Sequence, residues 1–120
     1  MKFLLPLVEE IVHNAKIFDK LMGTEYEYYC VYVFCNILKF FAYFKVSYEN
    51  GRIVRVFNYL REIEGILDER KVNVAKLAVS LSRRSDRLKD NYRLVDINEL
   101  RSVVSEILSS VESKFGCGWE

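Results

Sequence analysis

The basic side chains of this sequence are concentrated between residues 70 and 93, and they offer one kind of chemistry, the binding of an anionic partner. This segment holds eight Lys or Arg and two acidic residues, a net charge of +6. The rest of the chain holds 10 basic and 15 acidic residues, a net charge of −5. Such asymmetry can indicate an anionic partner, and it can equally reflect a solvated helix face, so both interpretations stay open.

Four of these cations are the first candidate binding residues. If the chain is helical from a cap at Asn73 to about Tyr92, a rotation of about 100° per residue brings three of them within about 40° of one another on the outer face. They are Lys76, Arg83 and Arg87, with Arg84 beside them. We predict that this face contacts the backbone of RNA or DNA.

Residue types that could support catalysis or metal binding are sparse. Nucleophilic catalysis requires a Ser or Cys held by a base, and the one histidine, His13, lies in a segment dominated by packing residues. Cys30, Cys35 and Cys117 lack the spacing of a zinc site, and no Gly-rich phosphate loop follows a strand pattern. We therefore expect no enzyme activity, no cofactor and no metal, and free thiols in a cytoplasmic protein.

The elements that must position these residues are organised around one apolar stretch, 26–46. Its length would suit a membrane span, but Asn36 and Lys39 lie well inside it, and a central lysine is costly in hydrocarbon. We therefore predict a buried core helix and no membrane. The fold expected is all-α, a single domain of about five helices over residues 1–120.

The aromatic residues of this stretch predict a contact with another chain. Five of them point in different directions around one helix, so a small bundle cannot bury them all. They are Tyr28, Tyr29, Tyr32, Phe41 and Tyr43. We expect self-association through this aromatic surface, or a contact with other protein subunits.

Local signals predict where the other helices begin and end. An apolar stripe at helical spacing predicts a first helix over 5–22, ended by Gly23, and Thr24 with Glu27 forms a capping box for the central helix. A third helix is predicted from Asn50-Gly51 to about 68, although Asn50-Gly51 could instead be a hairpin turn. The last helix follows the capping box at 96–99 and stops at Gly116, before a tail in which Trp119 packs back or is free.

The run AKLAVSLSRRSDRLKDNYRLV also resembles a helix-turn-helix, with a turn at Ser82 and a basic second helix. Such motifs need apolar residues soon after the turn, where Arg83 and Arg84 stand. One continuous amphipathic helix is favoured because its apolar period is uninterrupted.

The run RRSDRLKDNYRLVDINEL resembles the segment before the final helix in HEPN helical bundles, which occur in RNases and toxin–antitoxin pairs. Tyr92 and Asp96 match that pattern, but Asp90 stands where the family has its catalytic histidine. The resemblance implies a catalytically silent partner protein.

A second resemblance is to the small helical subunit of type III CRISPR effector complexes. The runs GRIVRVFNYLREIEG, NVAKLAVSLSRRSDR and NELRSVVSEIL are similar to its helices, and FFAYFK is similar to its aromatic element in a permuted order. The resemblance implies a non-catalytic subunit that contacts guide and target RNA backbones, with Arg52, Arg55 and Arg84 as the matched positions. The leading hypothesis is therefore a non-enzymatic RNA-binding subunit, and the alternative is a protein-interaction module of HEPN-like, viral or plasmid type.

Overall fold

Helices make up most of the computed structural model, which describes residues 2–115. The α-helices are α1 (Leu5–Leu21), α2 (Tyr29–Asn50), α3 (Tyr59–Ile63), α4 (Glu69–Ser82), α5 (Leu88–Asn91) and α6 (Ile97–Phe115). Turns of 3-10 helix cover Lys2–Leu4, Ser85–Arg87 and Tyr92–Leu94. No strand occurs within 2–115. The predicted all-α fold is confirmed, and the hairpin alternative is wrong because α2 continues through Asn50.

Helix α2 is the centre of the bundle, as the sequence predicts. It packs against α1, α3, α4 and α6. Its buried side chains are Cys30, Val31, Phe34, Ile37, Leu38, Phe41, Ala42, Phe44 and Ser47. Complete burial of one large apolar side chain contributes about 1.5–3 kcal/mol, so this helix supplies much of the stability of the fold. Phe41 is 1% exposed, which removes it from the predicted aromatic surface.

The connection between α1 and α2 is longer than the predicted capping box implies. The Thr24 hydroxyl accepts a hydrogen bond from Tyr26 N at 3.2 Å, and Glu27 Oε2 accepts one from Gly23 N at 2.6 Å. Residues 24–28 nevertheless form successive turns, and α2 begins at Tyr29. The prediction that α2 starts at Thr24 is therefore wrong by five residues, although Gly23 does end α1 with a positive φ of 74°.

The predicted third helix is confirmed only over Tyr59–Ile63 and is wrong on both sides of that range, since residues 64–68 are turns and irregular chain. Gly51 ends α2 with a φ of 69°, a left-handed conformation that favours glycine. Residues 53–56 are then neither helix nor strand, and α3 covers 59–63 alone. The buried Ser47 hydroxyl accepts a hydrogen bond from Val54 N at 2.8 Å and donates one to Val54 O at 3.4 Å. These two bonds replace the helical bonds that Val54 would otherwise make.

Helix α4 begins earlier than predicted, and its buried side is shifted. Asp68 caps the helix, since its Oδ1 accepts a hydrogen bond from Lys71 N at 2.9 Å, while the predicted cap Asn73 lies inside the helix. Of the apolar residues whose helical spacing predicts a core face, Ala78 and Leu81 are buried, but Leu77 is 41% exposed. The buried side of the helix also includes Val72, Ala75 and Val79.

Helix α6 is confirmed from its first residue. The side chain of Asp96 accepts a hydrogen bond from Asn98 N at 2.8 Å, and the predicted apolar stripe is largely buried. Arg101 pairs with Asp19 of α1, and Lys71 of α4 pairs with Glu106, so ion pairs flank the packed side of α6. The predictions for Gly116, Cys117 and Trp119 lie outside the described residues.

Candidate nucleic-acid interface

Five exposed cations lie where the chain leaves α4. We call Arg83, Arg84, Arg87, Lys89 and Arg93 the basic segment; all five are exposed. Helix α4 ends at Ser82, and Arg84 N then donates a hydrogen bond to Leu81 O at 3.0 Å. The chain continues through the 3-10 turn 85–87, α5 and the 3-10 turn 92–94. The prediction of one continuous helix is therefore wrong, and the break falls where the helix-turn-helix alternative places its turn. Helix α5 has only four residues, so no recognition helix follows.

This break changes how the four predicted helix residues are related. Lys76 lies on α4 and Arg83 is its C-cap, seven residues on, so those two still share one side of the helix. Arg87 lies in a separate 3-10 turn, and the shared face predicted for it depends on a helix that ends at Ser82. Charge in this region is therefore spread over several short turns instead of one stripe.

Arg83 lies beside a half-buried thiol and a half-buried phenol. Burial raises the pKa of Cys35 of α2, and the Ser82 hydroxyl and the Arg83 charge offset part of that rise. Burial also raises the pKa of Tyr59, at the start of α3, and the Arg83 charge again opposes the shift. Because the Arg83 charge acts on these two groups, we rank it behind Arg84 as a ligand for an external anion.

Lys76 is already paired within the protein. Its Nζ is 3.1 Å from Glu64 Oε1, just after α3, and both side chains are about half exposed. Exposed pairs of this kind contribute about 0–1 kcal/mol, so a phosphate could compete for the lysine at modest cost. Lys76 is therefore a weaker candidate than the unpaired cations.

Arg52 and Arg55, the two remaining predicted residues, lie on the segment between α2 and α3. Both are exposed, and none of the ion pairs found among residues 2–115 includes them. Between and beside them the side chains of Ile53 and Phe57 are 50% and 105% exposed. This pair therefore lies on a different segment of the chain from the basic segment, and its neighbours include exposed apolar side chains.

A group of tyrosines lies beside the basic segment, and three of them, Tyr28, Tyr29 and Tyr32, belong to the aromatic surface for which the sequence predicted a protein contact. We call Tyr26, Tyr28, Tyr29, Tyr32 and Tyr92 the tyrosine cluster. Ring centroids are 4.5 Å apart for Tyr28 and Tyr29, and 6.4 Å apart for Tyr28 and Tyr92. Tyr92 follows α5, so the fold joins the start of α2 to residues more than sixty positions later. No local sequence signal indicates that contact.

Two cations of the basic segment lie over these rings. Lys89 Nζ is 6.0 Å from the ring centroid of Tyr28, and the Arg93 guanidinium carbon is 5.6 Å from that of Tyr92. Arg93 Nε also donates a hydrogen bond to the Tyr92 hydroxyl at 3.2 Å. A cation over an aromatic face is attracted by about 0.5–1 kcal/mol at exposed sites. The tyrosine cluster and the basic segment therefore form one continuous surface.

A cleft of about 500 Å³ adjoins this surface. It is lined by both acidic and basic groups, including Glu27, Arg93 and Asp96, and by Leu94, which is 68% exposed. Glu27 Oε1 accepts a hydrogen bond from the Tyr92 hydroxyl at 3.4 Å, which connects the cleft to the tyrosine cluster. The cleft is large enough for one nucleoside-sized group.

The described residues offer little for nucleophilic or metal chemistry. No group of three or more His, Cys, Asp or Glu side chains that could hold a metal occurs among them. Burial raises the pKa of Cys30 to about 12, and Cys35 also has a raised pKa, so both thiols are protonated at neutral pH and poorly nucleophilic. His13 is exposed on α1.

Among the described residues, α2 alone is long and apolar enough to cross a membrane, and half of its tested window is buried in the structure. The buried core helix of a soluble protein can have the same length and composition, so the absence of a membrane span stays a prediction from the sequence. Comparison of the chain with protein-family models, with curated proteins and with solved structures gives no match. The resemblances to the CRISPR subunit and to HEPN bundles therefore stay predictions.

Proposed function

We propose that this protein is a non-enzymatic, nucleic-acid-binding subunit of a larger complex, and that the basic segment contacts the phosphate backbone of RNA. The observation that carries the proposal is the clustering of cations without ion pairs, since five of them lie within residues 83–93, whereas other such cations, for example Lys16 and Lys20, lie on other parts of the fold. Lys45, Arg70, Lys71, Lys76 and Arg101 form ion pairs with acidic side chains of the protein. The five cations of the basic segment are exposed, and they form no ion pair with the described residues.

Cations without an ion pair are suited to an external anion because no salt bridge must break first, although Arg93 also donates a hydrogen bond to the Tyr92 hydroxyl. Residues 83–93 include five cations and two exposed acids, Asp86 and Asp90, so the segment has a net charge of +3. Each phosphate contact releases condensed counterions, so affinity for a single strand falls with salt by about 0.7 in log–log slope per contact. A protein that binds in this way shows a steep salt dependence.

The test is the double variant Arg84→Glu, Arg87→Glu, read by fluorescence anisotropy with labelled single-stranded RNA. Arg83 is left unchanged because its charge acts on Cys35 and Tyr59. The matched control is Lys16→Glu, Lys20→Glu, which reverses two exposed, unpaired cations on α1. Surface changes of this kind alter stability by less than about 0.5 kcal/mol, so both variants should fold.

We expect the Arg84/Arg87 variant to bind RNA much more weakly at low salt and its salt slope to fall by at least about 1.4, the value for two lost contacts. The Lys16/Lys20 variant should stay within about twofold of the parent. Equal losses in both variants would mean that net charge, and no particular surface, attracts RNA. Unchanged affinity in the Arg84/Arg87 variant, or no binding by the parent, would refute the proposal.

The second candidate function is a protein-interaction module, and one observation favours it. Phe57 is fully exposed on a segment that Ser47 holds in place, and Ile53 is half exposed nearby. Exposed apolar side chains on an ordered segment are typical of a protein contact. Self-association is the form that can be tested directly, by sedimentation velocity of the parent and of Phe57→Ser at high micromolar concentration.

Phe57→Ser should dissociate an oligomer formed through this segment, whereas Leu94→Ser, at an exposed leucine elsewhere, should not. A parent that sediments as a monomer throughout would remove self-association. High salt separates the two candidate functions, because phosphate contacts weaken steeply with salt and a contact through Phe57 does not.

A further inference from the structure

We infer that the tyrosine cluster is a stacking surface for unpaired bases, so that the ligand of this protein is single-stranded nucleic acid and not a duplex. The inference rests on the proposed function, because the basic segment must hold the backbone for the bases to reach the rings. It assigns a role to residues of the α1–α2 connection and of the start of α2, which the charge pattern alone does not include.

The tyrosine rings are arranged in a connected series. Tyr28 and Tyr29 are stacked at 4.5 Å, and Tyr29 lies 6.5 Å from Tyr26 and 6.2 Å from Tyr32 by ring centroid. Tyr26 and Tyr29 are 51% and 45% exposed, although each already contacts a neighbouring ring. Rings held by one another lose little further freedom when a base stacks on them, which lowers the entropic cost of binding.

The cations next to the rings place the phosphates. Lys89 and Arg93 belong to the basic segment, and they lie over the rings of Tyr28 and Tyr92. A single strand can therefore lie with its phosphates at these cations while its bases reach the rings. A duplex keeps its bases stacked inside the helix and cannot make the second contact.

The acidic side chains near the cluster restrict the path of the backbone. Glu27 accepts hydrogen bonds from Gly23 N and from the Tyr92 hydroxyl, and Glu25 is exposed one residue before Tyr26. Both carboxylates repel phosphates. Glu27 and Arg93 share the Tyr92 hydroxyl, so the repulsion favours a backbone path at Lys89 over one at Arg93. This path leaves the rings of Tyr26 and Tyr29 for the bases.

The experiment compares Tyr26→Ala, Tyr29→Ala with Tyr26→Phe, Tyr29→Phe on the full chain, by anisotropy with three labelled probes. The probes are a 12-nucleotide oligouridylate, an abasic strand with the same number of phosphates, and an RNA duplex of equal length. The phenylalanine pair keeps the rings and removes the hydroxyls, so it separates stacking from hydrogen bonding. Tyr26 and Tyr29 are both about half exposed, and thermal melts verify that each variant folds.

We expect the alanine pair to bind oligouridylate about tenfold or more weakly than the parent, as for the loss of base stacking, with its salt slope unchanged. The phenylalanine pair should stay within about twofold. The parent should bind the abasic strand about as weakly as the alanine pair binds oligouridylate, and the duplex no more tightly.

Two outcomes would overturn the inference while leaving the proposed function in place. One is an alanine pair that binds like the parent while Arg84→Glu, Arg87→Glu loses binding. The other is a parent that binds the duplex or the abasic strand as tightly as oligouridylate. A parent that binds none of the three probes would refute the proposed function and this inference together.

Discussion

Removing the Ser47 hydroxyl should release the segment that follows α2, and the size of the effect can be worked from the structure. Ser47 is completely buried, and its Oγ accepts a hydrogen bond from Val54 N at 2.8 Å and donates one to Val54 O at 3.4 Å. The substitution Ser47→Ala removes both bonds and leaves the half-buried Val54 N–H without a partner.

A net hydrogen bond contributes about 0.5–1.5 kcal/mol, and the longer bond lies near the limit of useful geometry. The two bonds at Ser47 together should contribute about 1.5–2 kcal/mol. Alanine is a better helix former than serine by up to about 0.5 kcal/mol, which offsets part of the loss. We expect Ser47→Ala to lower the free energy of unfolding by about 1–1.5 kcal/mol and the Tm by about 4–6 °C.

The assays are urea unfolding and amide hydrogen exchange, with Ser109→Ala as the matched control. Ser109 is exposed within α6, so its substitution changes helix propensity without removing a structural bond. In Ser47→Ala the Val54 amide should exchange faster than in the parent, and in Ser109→Ala it should not. If Ser47→Ala is as stable as Ser109→Ala, or if Val54 exchange is unchanged, the hydroxyl does not hold the segment and the reasoning fails.

Three further predictions concern the caps, the core and alkaline stability. Asp68→Ala should cost about 1 kcal/mol in urea unfolding because it removes the cap that accepts from Lys71 N, whereas Asn73→Ala, at the cap predicted from sequence, should be neutral or stabilising. Phe41→Ala should cost about 3–5 kcal/mol in the same assay, as expected for a fully buried phenylalanine. Burial raises the pKa of the Cys30 thiol to about 12, so the unfolded chain loses this proton first and stability falls as pH rises from about 9 toward 12. In urea unfolding at pH 8–10.5, Cys30→Ala should lose less stability with pH than the parent, by up to about 1.4 kcal/mol per pH unit.

Each of these predictions has an outcome that contradicts it. A larger loss of stability for Asn73→Ala than for Asp68→Ala would show that α4 begins at the cap predicted from sequence. A mild effect of Phe41→Ala would show that this ring is not buried and is available for self-association. Parallel pH curves for Cys30→Ala and the parent above pH 9 would show that the buried thiol does not contribute to alkaline unfolding.

Sequence periodicity predicted the helices whose buried faces are wide and continuous. The stripe of α1, the aromatic face of α2 and the clean amphipathic pattern of α6 each bury their apolar side against the bundle. These helices are long, so one misplaced residue does not change the pattern. The same reasoning failed at Ile53 and Phe57, whose spacing fits a helix although both are exposed on a non-helical segment.

The candidate site was predicted in part. The cations of the basic segment were visible as a charge asymmetry. The sequence placed Arg83 and Arg87 on one helical face, whereas the helix ends at Ser82 and Arg87 lies in a separate turn. Which cations are paired depends on residues distant in the chain, as for Lys71 with Glu106 and Lys76 with Glu64. Charge composition is a property of the sequence, whereas the availability of a charge is a property of the fold.

The sequence by itself determined the all-α class, the central position of α2, the glycine stops after α1 and α2, and the excess of positive charge between 70 and 93. These features follow from local spacing and from the conformations that each residue type allows. The tertiary structure alone decided that Ser47 holds Val54 in a non-helical segment and that Tyr92 reaches Tyr28. Those contacts join residues far apart along the chain, and only the packing of the other helices brings them within a few ångströms of each other.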